Sequence, residues 1–429
     1  MNGGIETMVK LIIGAFWGDE GKGKAAHACN AEVAIRSTGG ANAGHTVVAN
    51  GKKYAMHLLP SSILKTEVKS IIGPGVVVDL AVLVEELETI ISAGIKPNLF
   101  ISDRATLVLP TDKKMDFFVE SIKEIKVGTT GRGIGPAYAA KDHRIAIRMG
   151  DLKRRNECKE QLLDKVRCNL AFASLFNDKW KDYEDSSREI FDYLDRYIGF
   201  VEQYICDTQE IINKALEDNA NIIIEGAQAM YLDRDHGDYP FVTSSNPTAG
   251  GACCGAGIGP RYITDVVGVM KAYCSRVGEG PFPTELSDET GDKIRELGHE
   301  FGTTTGRPRR CGWLDLVRAK NAVHVNSISE WCINHLDTIG KIGQIFGSVK
   351  ICVGYEYMGK VINYVPIDSE NVTPIYTEIN GGWDTNGCRT YEELPNKARK
   401  YIEFIEEYTG VPVKTIGIGP ADTDIIIKT

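Results

Sequence analysis

The chain predicts an α/β fold with a large, mostly parallel central sheet, helices and inserted loops. Three observations carry that expectation. Short β-branched apolar runs recur along the sequence, and several stop at glycine or a carboxylate, as strands delivering loops to a site do. From Leu152 to Leu216 the pattern turns helical: charged, Leu/Ile-spaced, without proline and with Gly199 as its one glycine. Strand-like and helix-like stretches alternate, as in a parallel sheet joined by crossover helices.

In order, Val9 to Ile13 is an apolar run ending at Gly14, which suits a buried strand. A glycine-rich stretch follows, and Lys24 to Cys29 opens a helix. Further β-branched runs lie at Ser70–Ile72, Asn221–Ile224, Trp331–Ile333 and Val349–Val353. Glycine-rich segments recur at 128–135, 250–259 and 278–280, either as tight turns or as places where backbone N–H groups approach a ligand. Length alone, 429 residues, would allow two or three domains. No repeat or low-complexity linker divides the chain, and its motifs run from end to end. The expected organisation is an N-terminal extension over residues 1–8 and one catalytic domain over residues 9–429.

An apolar fraction of 43% and a charged fraction of 25% are ordinary for a globular protein. The net charge of -9 argues against a nucleic-acid partner, yet leaves room for a local basic cluster that holds a small phosphorylated substrate. Eleven cysteines without a CxxC pair read as reduced thiols in the cytoplasm. No stretch approaches ~18 consecutive apolar residues, so no membrane span is expected.

The loop after the first strand carries the most chemistry. Gly18, Gly23 and Lys24 have the G-x-x-x-x-G-K spacing of a P-loop-type phosphate cradle, in which glycines expose backbone donors and a helix N-terminus favours an anion. The Ser or Thr that would follow the lysine and hold Mg²⁺ is Ala25. A nucleotide–Mg²⁺ complex then needs another oxygen ligand, and Asp19 and Glu20 are nearest. The alternative for both carboxylates is capping of the helix that follows. A second cluster, Arg36 to Thr46, sets His45 after a flexible glycine loop, where imidazole can donate a proton to a phosphate oxygen; a structural histidine is the alternative.

Two later stretches add specificity. Asn334, His335, Leu336 and Asp337 follow a strand as a variant N-K-x-D guanine motif. A carboxylate's two acceptors match the guanine N1–H and exocyclic amino group, a donor pair that adenine lacks. Arg307, Arg309 and Arg310 form a basic patch that alone reads as a solvated loop. The threonines before it, with forked guanidiniums, fit a dicarboxylate.

Taken together, these strings resemble the adenylosuccinate synthetase family. Phe16 to Lys24 is similar to its signature loop. So are Gly128 to Tyr138, Glu225 to Gln228, Asp235 to Gly237, Val242 to Asn246, Gly280 to Leu286 and Thr304 to Arg307, in order from about Val9 to the C-terminus. The resemblance implies a homodimeric, GTP-hydrolysing ligase acting on IMP, GTP and L-aspartate with one Mg²⁺ per subunit, at the first committed step from IMP to AMP. GTP would phosphorylate the 6-oxygen of IMP, and the aspartate amine would displace that phosphate to give adenylosuccinate.

Residue by residue, the resemblance implies catalytic roles for Asp19, His45, Lys22 and Gln228, with Asp19 and Gly44 as metal ligands. It assigns IMP to Asp19, Lys22, Asn42, His45, Thr130, Arg144, Gln228, Thr243 and Arg307, Arg144 reaching across the dimer interface. GTP falls to Gly18, Asp19, Glu20, Gly21, Lys22, Gly23, Lys24, Gly44, His45, Thr46, Arg309, His335, Leu336, Asp337, Gly417, Ile418 and Gly419. Aspartate falls to Thr303, Thr304, Thr305, Gly306, Arg307 and Arg309.

Three positions depart from the family pattern. Ala41 stands where a histidine is usual, His335 where a lysine is, and Gly417 heads a Gly-Ile-Gly string where Ser-Thr-Gly is common. Two rival classes fit less well. A regulatory GTPase switch needs the hydroxyl that Ala25 lacks, and a dinucleotide-binding dehydrogenase needs a G-x-G-x-x-G turn that the loop matches poorly.

Overall fold

The structure is a computed structural model that describes residues 8–42, 44–49, 52–154, 156–174, 183–301, 306–421 and 423–428. Among these residues ten strands form the central sheet: β1 (Val9–Gly14), β2 (Val33–Arg36), β3 (Lys69–Ile72), β4 (Leu99–Ser102), β5 (Ile205–Cys206), β6 (Ile222–Glu225), β7 (Asp265–Lys271), β8 (Glu330–Asn334), β9 (Val413–Gly417) and β10 (Ile425–Ile427). Their spatial order is β10-β9-β8-β7-β1-β6-β2-β3-β4-β5. Every neighbouring pair is parallel except the edge pair β9–β10.

β1 lies mid-sheet, and Leu11, Ile12 and Ile13 are buried on both of its faces, as expected where helices cover a parallel sheet. From β1 the chain walks outward to β5, returns to insert β6 beside β1, and then builds β7 to β10 on the other side. This reversal leaves a crevice at the carboxyl ends of the strands, where sheets of this kind bind ligands. Gly14, Arg36, Glu225, Lys271, Asn334 and Gly417 are those carboxyl ends.

Two large apolar cores pack on the sheet. One gathers Leu11, Ile13, Val33, Ile224 and Trp331. The other joins Ile72, Leu99 and Ile101 to the helices Leu80–Ser92 and Tyr183–Val201. Asp79 caps the first of these helices, accepting from Ala81 N at 3.2 Å, and its buried Leu80, Leu83, Leu87 and Ile90 form one helical stripe.

The strands expected near residues 9–13, 70–72, 221–224 and 331–333 are β1, β3, β6 and β8. The run 349–353 is also a strand, Ser348–Tyr357, but lies outside the central sheet. It pairs antiparallel with Lys360–Ile362 and Thr373–Asn380, and parallel with Leu314–Asp315. An apolar run reports burial, not which sheet supplies it. The helical stretch contains Lys159–Ser174, Tyr183–Val201 and Thr208–Glu217, interrupted by the two-residue strand β5. All eleven cysteines are free. Among the described residues, no helix is long and apolar enough to cross a membrane.

Candidate active site

The phosphate loop leaves β1 at Gly14 and enters the helix Lys22–Ala28. Gly18, Asp19 and Gly21 adopt positive φ (98°, 60° and 95°). Gly21 is the helix N-cap and no side chain caps it, so the capping alternative for Asp19 and Glu20 is not what the loop does. A Cβ on Gly21 would fall 2.6 Å from Asn334 Nδ2, which itself donates to Glu20 O at 2.7 Å.

The two loop carboxylates part ways. Glu20 is 3% exposed; its Oε1 accepts from Phe16 N (3.2 Å) and Gly18 N (2.8 Å), and its Oε2 pairs with Lys22 Nζ at 2.8 Å. It braces the loop from within, which corrects the expectation that its carboxylate is open to a metal. Asp19 is 38% exposed and opens onto the cavity.

That cavity, about 1030 Å³, is lined by Asp19, Lys22, Asn42, Gly44, Thr130, Gln228, Thr243 and Arg309, from segments far apart in sequence. Gln228, at φ 54°, donates from Nε2 to Asn42 Oδ1 (3.2 Å) and accepts from Ser245 Oγ (3.4 Å). Tyr138, within a quoted family string, accepts from Gly39 N (3.0 Å) and donates to Gly75 O (2.7 Å), tying down the glycine loop before Asn42.

Beneath the phosphate loop lies a cluster that no sequence signal marked. Asp238 accepts from Trp17 Nε1 (2.7 Å), Arg276 Nη1 (2.6 Å) and Arg318 Nη1 (3.0 Å). Both guanidiniums lie near the Trp17 ring, 5.2 Å and 5.1 Å from its centroid. Arg276 also donates to Pro281 O (2.7 Å), joining the loop to the stretch that enters the family string Gly280 to Leu286.

A second unforeseen network holds Arg309. Its Nη2 pairs with Asp19 Oδ2 at 2.6 Å and its Nη1 with Glu300 Oε2 at 2.8 Å. Glu300 also accepts from Lys271 Nζ and Tyr273 Oη, each at 2.5 Å. Burial pushes the Glu300 pKa up, but Lys271 and Arg309 outweigh it and hold it at about 2, below the ordinary 4.5. A depressed carboxylate stabilises the fold above about pH 4.5 and loses that contribution as pH falls toward 2. The contribution is on the order of 3 kcal/mol. The stability gap between the wild type and Glu300→Gln is therefore expected to narrow steadily from about pH 5 to about pH 2. Urea unfolding at several pH values reads this, and a gap independent of pH would refute it.

The proposed base end sits at the tips of β8 and β9. His335, at φ 61°, is the N-cap of the helix Leu336–Phe346; Asp337 lies in the first turn, 3.4 Å from Lys341. Burial, reinforced by Lys271, pushes the His335 pKa down to about 3. Its ring is therefore neutral near pH 7, edge-on to Tyr273 at 5.5 Å, and brings no charge in place of the family's lysine. At Gly417 an added Cβ would fall 2.2 Å from Asn334 Oδ1, so in this chain the asparagine occupies the space beside residue 417. Lys24 Nζ donates to Gly419 O (2.9 Å) and Asp424 O (3.2 Å), linking the phosphate loop to this turn.

Not every assigned residue reaches the cavity. Arg144, at φ 64°, and Arg307 are exposed and do not line it, although His143 and Ile145 do. The basic patch is not a uniformly solvated loop: Arg309 is buried, and Arg310 Nε pairs with Glu285 Oε1 at 2.8 Å. His45 and Thr46 open a hairpin strand, His45–Ala49, but their side chains lie outside the described residues, as do Thr303, Thr304 and Thr305.

Comparison with known proteins matches this architecture. A family model described as adenylosuccinate synthetase covers residues 11–426. The chain is 47% identical to adenylosuccinate synthetase of Acetivibrio thermocellus over 97% of this chain and 99% of that protein. It is 47% identical to the one from Bacillus cereus over 96% of each. The solved structure of fully ligated adenylosuccinate synthetase from Plasmodium falciparum superposes with a TM-score of 0.90 at 36% identity, covering 99% of this chain and 100% of that one. A phage succinoaminodeoxyadenylate synthetase, at 20% identity and a TM-score of 0.63, shares the fold. With a match that runs through every strand of the central sheet, this chain belongs to the adenylosuccinate synthetase family of GTP-hydrolysing ligases.

Proposed function

We propose that this protein joins IMP and L-aspartate into adenylosuccinate while cleaving GTP to GDP and phosphate, through a 6-phosphoryl-IMP intermediate. The observation that carries the reading is the convergence of Asp19, Lys22, Asn42, Thr130, Gln228 and Thr243 on one cavity, beside a phosphate loop whose other carboxylate is engaged internally.

In this reading Asp19 takes the N1 proton of IMP, and the electron pair moves toward the 6-oxygen. That oxygen forms a bond to the γ-phosphorus as the bond to the β,γ-bridging oxygen breaks, leaving GDP. Lys22, the loop amides and His45 offset charge on the phosphoryl oxygens. The aspartate amine then attacks C6, phosphate departs, and the amine loses a proton. Asn42 and Gln228, hydrogen-bonded to each other, orient the purine; Arg307 takes a carboxylate of aspartate, and Arg309 serves aspartate or GTP.

Mg²⁺ is implied by the family, and the residues present fit it. Asp19 and the Gly44 carbonyl are hard oxygen donors on the same cavity, and Mg²⁺ takes one or two protein oxygens while phosphates and water supply the rest. When bound, the ion offsets negative charge on the nucleotide phosphates. We further propose a homodimer in which exposed Arg144 reaches the IMP phosphate of the neighbouring subunit, and a cytoplasmic setting in which the free thiols stay reduced.

A spectroscopic adenylosuccinate assay omitting GTP, IMP or aspartate in turn tests the reaction. Product is expected only when all three are present. GTP hydrolysis at a rate indifferent to IMP and aspartate would instead mark a regulatory GTPase.

A further inference from the structure

We propose that Glu300 is a positioning residue: it fixes Arg309 by one nitrogen and leaves the other to exchange the Asp19 carboxylate for an incoming substrate oxyanion. The inference rests on the reaction proposed above and assigns a role to a residue outside the family strings quoted for the site.

The two ends of the Arg309 guanidinium meet unlike partners. Glu300 is fully buried, and its Oε1 also takes Lys271 and Tyr273, so the Nη1 end is held in a water-excluded network. Breaking that end would leave buried charges uncompensated, which is strongly unfavourable. Asp19 is 38% exposed, so water competes for its carboxylate, whereas Glu300 is sealed from water. The Asp19 end is thus the one that yields. Arg309 Nε is buried and makes no hydrogen bond among the described residues. Backbone geometry holds the pivot too: Arg309 N donates to Glu300 O at 2.9 Å and Arg309 O accepts from Arg295 Nε at 2.8 Å.

The occupant that displaces Asp19 is an oxyanion that accepts a forked guanidinium, either an amino-acid carboxylate or a nucleotide phosphoryl group. Its arrival frees Asp19 at the moment the site fills, so ligand binding and exposure of the reacting carboxylate occur together. With Arg309 oriented beforehand, less side-chain entropy is lost on binding.

Steady-state kinetics of Glu300→Gln, Arg309→Leu and the double variant test this. Glu300→Gln is expected to raise KM about 10-fold or more for one anion. A rise for aspartate identifies the carboxylate, and a rise for GTP the phosphoryl group. In the Arg309→Leu background the same substitution should change neither KM further, because Glu300 acts through the arginine. An active wild type whose Glu300→Gln variant keeps kcat and both KM values within about twofold overturns the role, as do effects that simply multiply in the double variant. Should Glu300→Gln not fold, Glu300→Asp keeps the charge while shortening its reach; a raised KM supports the pivot and unchanged values overturn it. A wild-type protein that makes no adenylosuccinate fails the reaction itself, which distinguishes the two failures.

Discussion

Asp19→Asn is expected to lower adenylosuccinate formation by about 10³-fold or more while leaving the fold intact. Asparagine is the informative replacement because residue 19 sits at φ 60°, a left-handed conformation that Asn tolerates and Ala does not. The amide keeps the shape and a hydrogen-bond acceptor, but it neither takes a proton near pH 7 nor holds Mg²⁺ as a carboxylate does. Little stability should be lost, since Asp19 is 38% exposed and water can solvate it, while buried Arg309 keeps Glu300 as its charge partner. Product formation and thermal unfolding, measured together, separate the two effects. A variant making product at near the wild-type rate would remove Asp19 from the chemistry. A variant that had lost both activity and fold would show that the residue is structural.

The second large effect lies in stability. Asp238→Ala is expected to cost about 3–5 kcal/mol, because it leaves two buried guanidiniums without their shared carboxylate. Arg318 is fully buried and Arg276 is 1% exposed. Arg276 retains backbone carbonyls as acceptors but loses its carboxylate, whereas Arg318 retains Ser369 Oγ at 2.8 Å and a longer ion pair to buried Asp315 Oδ2 at 3.9 Å, so the charge imbalance falls mainly on Arg276. The Trp17 indole N–H would lose its acceptor as well, loosening the phosphate loop from below. The midpoint of equilibrium urea unfolding reads the cost. Asp238→Asn, which keeps one acceptor oxygen, should fall between Ala and the wild type. An unchanged midpoint for Asp238→Ala would mean that carbonyls and water satisfy both arginines.

Much of this site could be read before any coordinates. The phosphate loop carries its own instructions, because glycines at fixed spacing after an apolar run are a local matter of backbone freedom and helix start. The same holds for Asp337 in the first turn after β8, which follows from a strand end and a helix beginning. Less legible was the division of labour between Asp19 and Glu20. Adjacent carboxylates look alike in sequence, and the left-handed φ at Asp19 together with the amides of Phe16 and Gly18 decides which one turns inward.

Sequence pattern alone predicted a mostly parallel α/β sheet and a glycine-rich turn from its first strand into a helix, since both arise from periodicity and from bonds among near neighbours. It also named Asp19, Lys22, Asn42, Thr130, Gln228 and Thr243, which the structure brings to one cavity. Tertiary structure decided the supports. Lys24 reaches a carbonyl 395 residues away, Asn334 braces a loop 314 residues before it, and Asp238 gathers Trp17, Arg276 and Arg318 from three separate segments. Such partners leave no periodic trace, because a buried polar group needs a partner close in space and places no constraint on how far along the chain that partner lies.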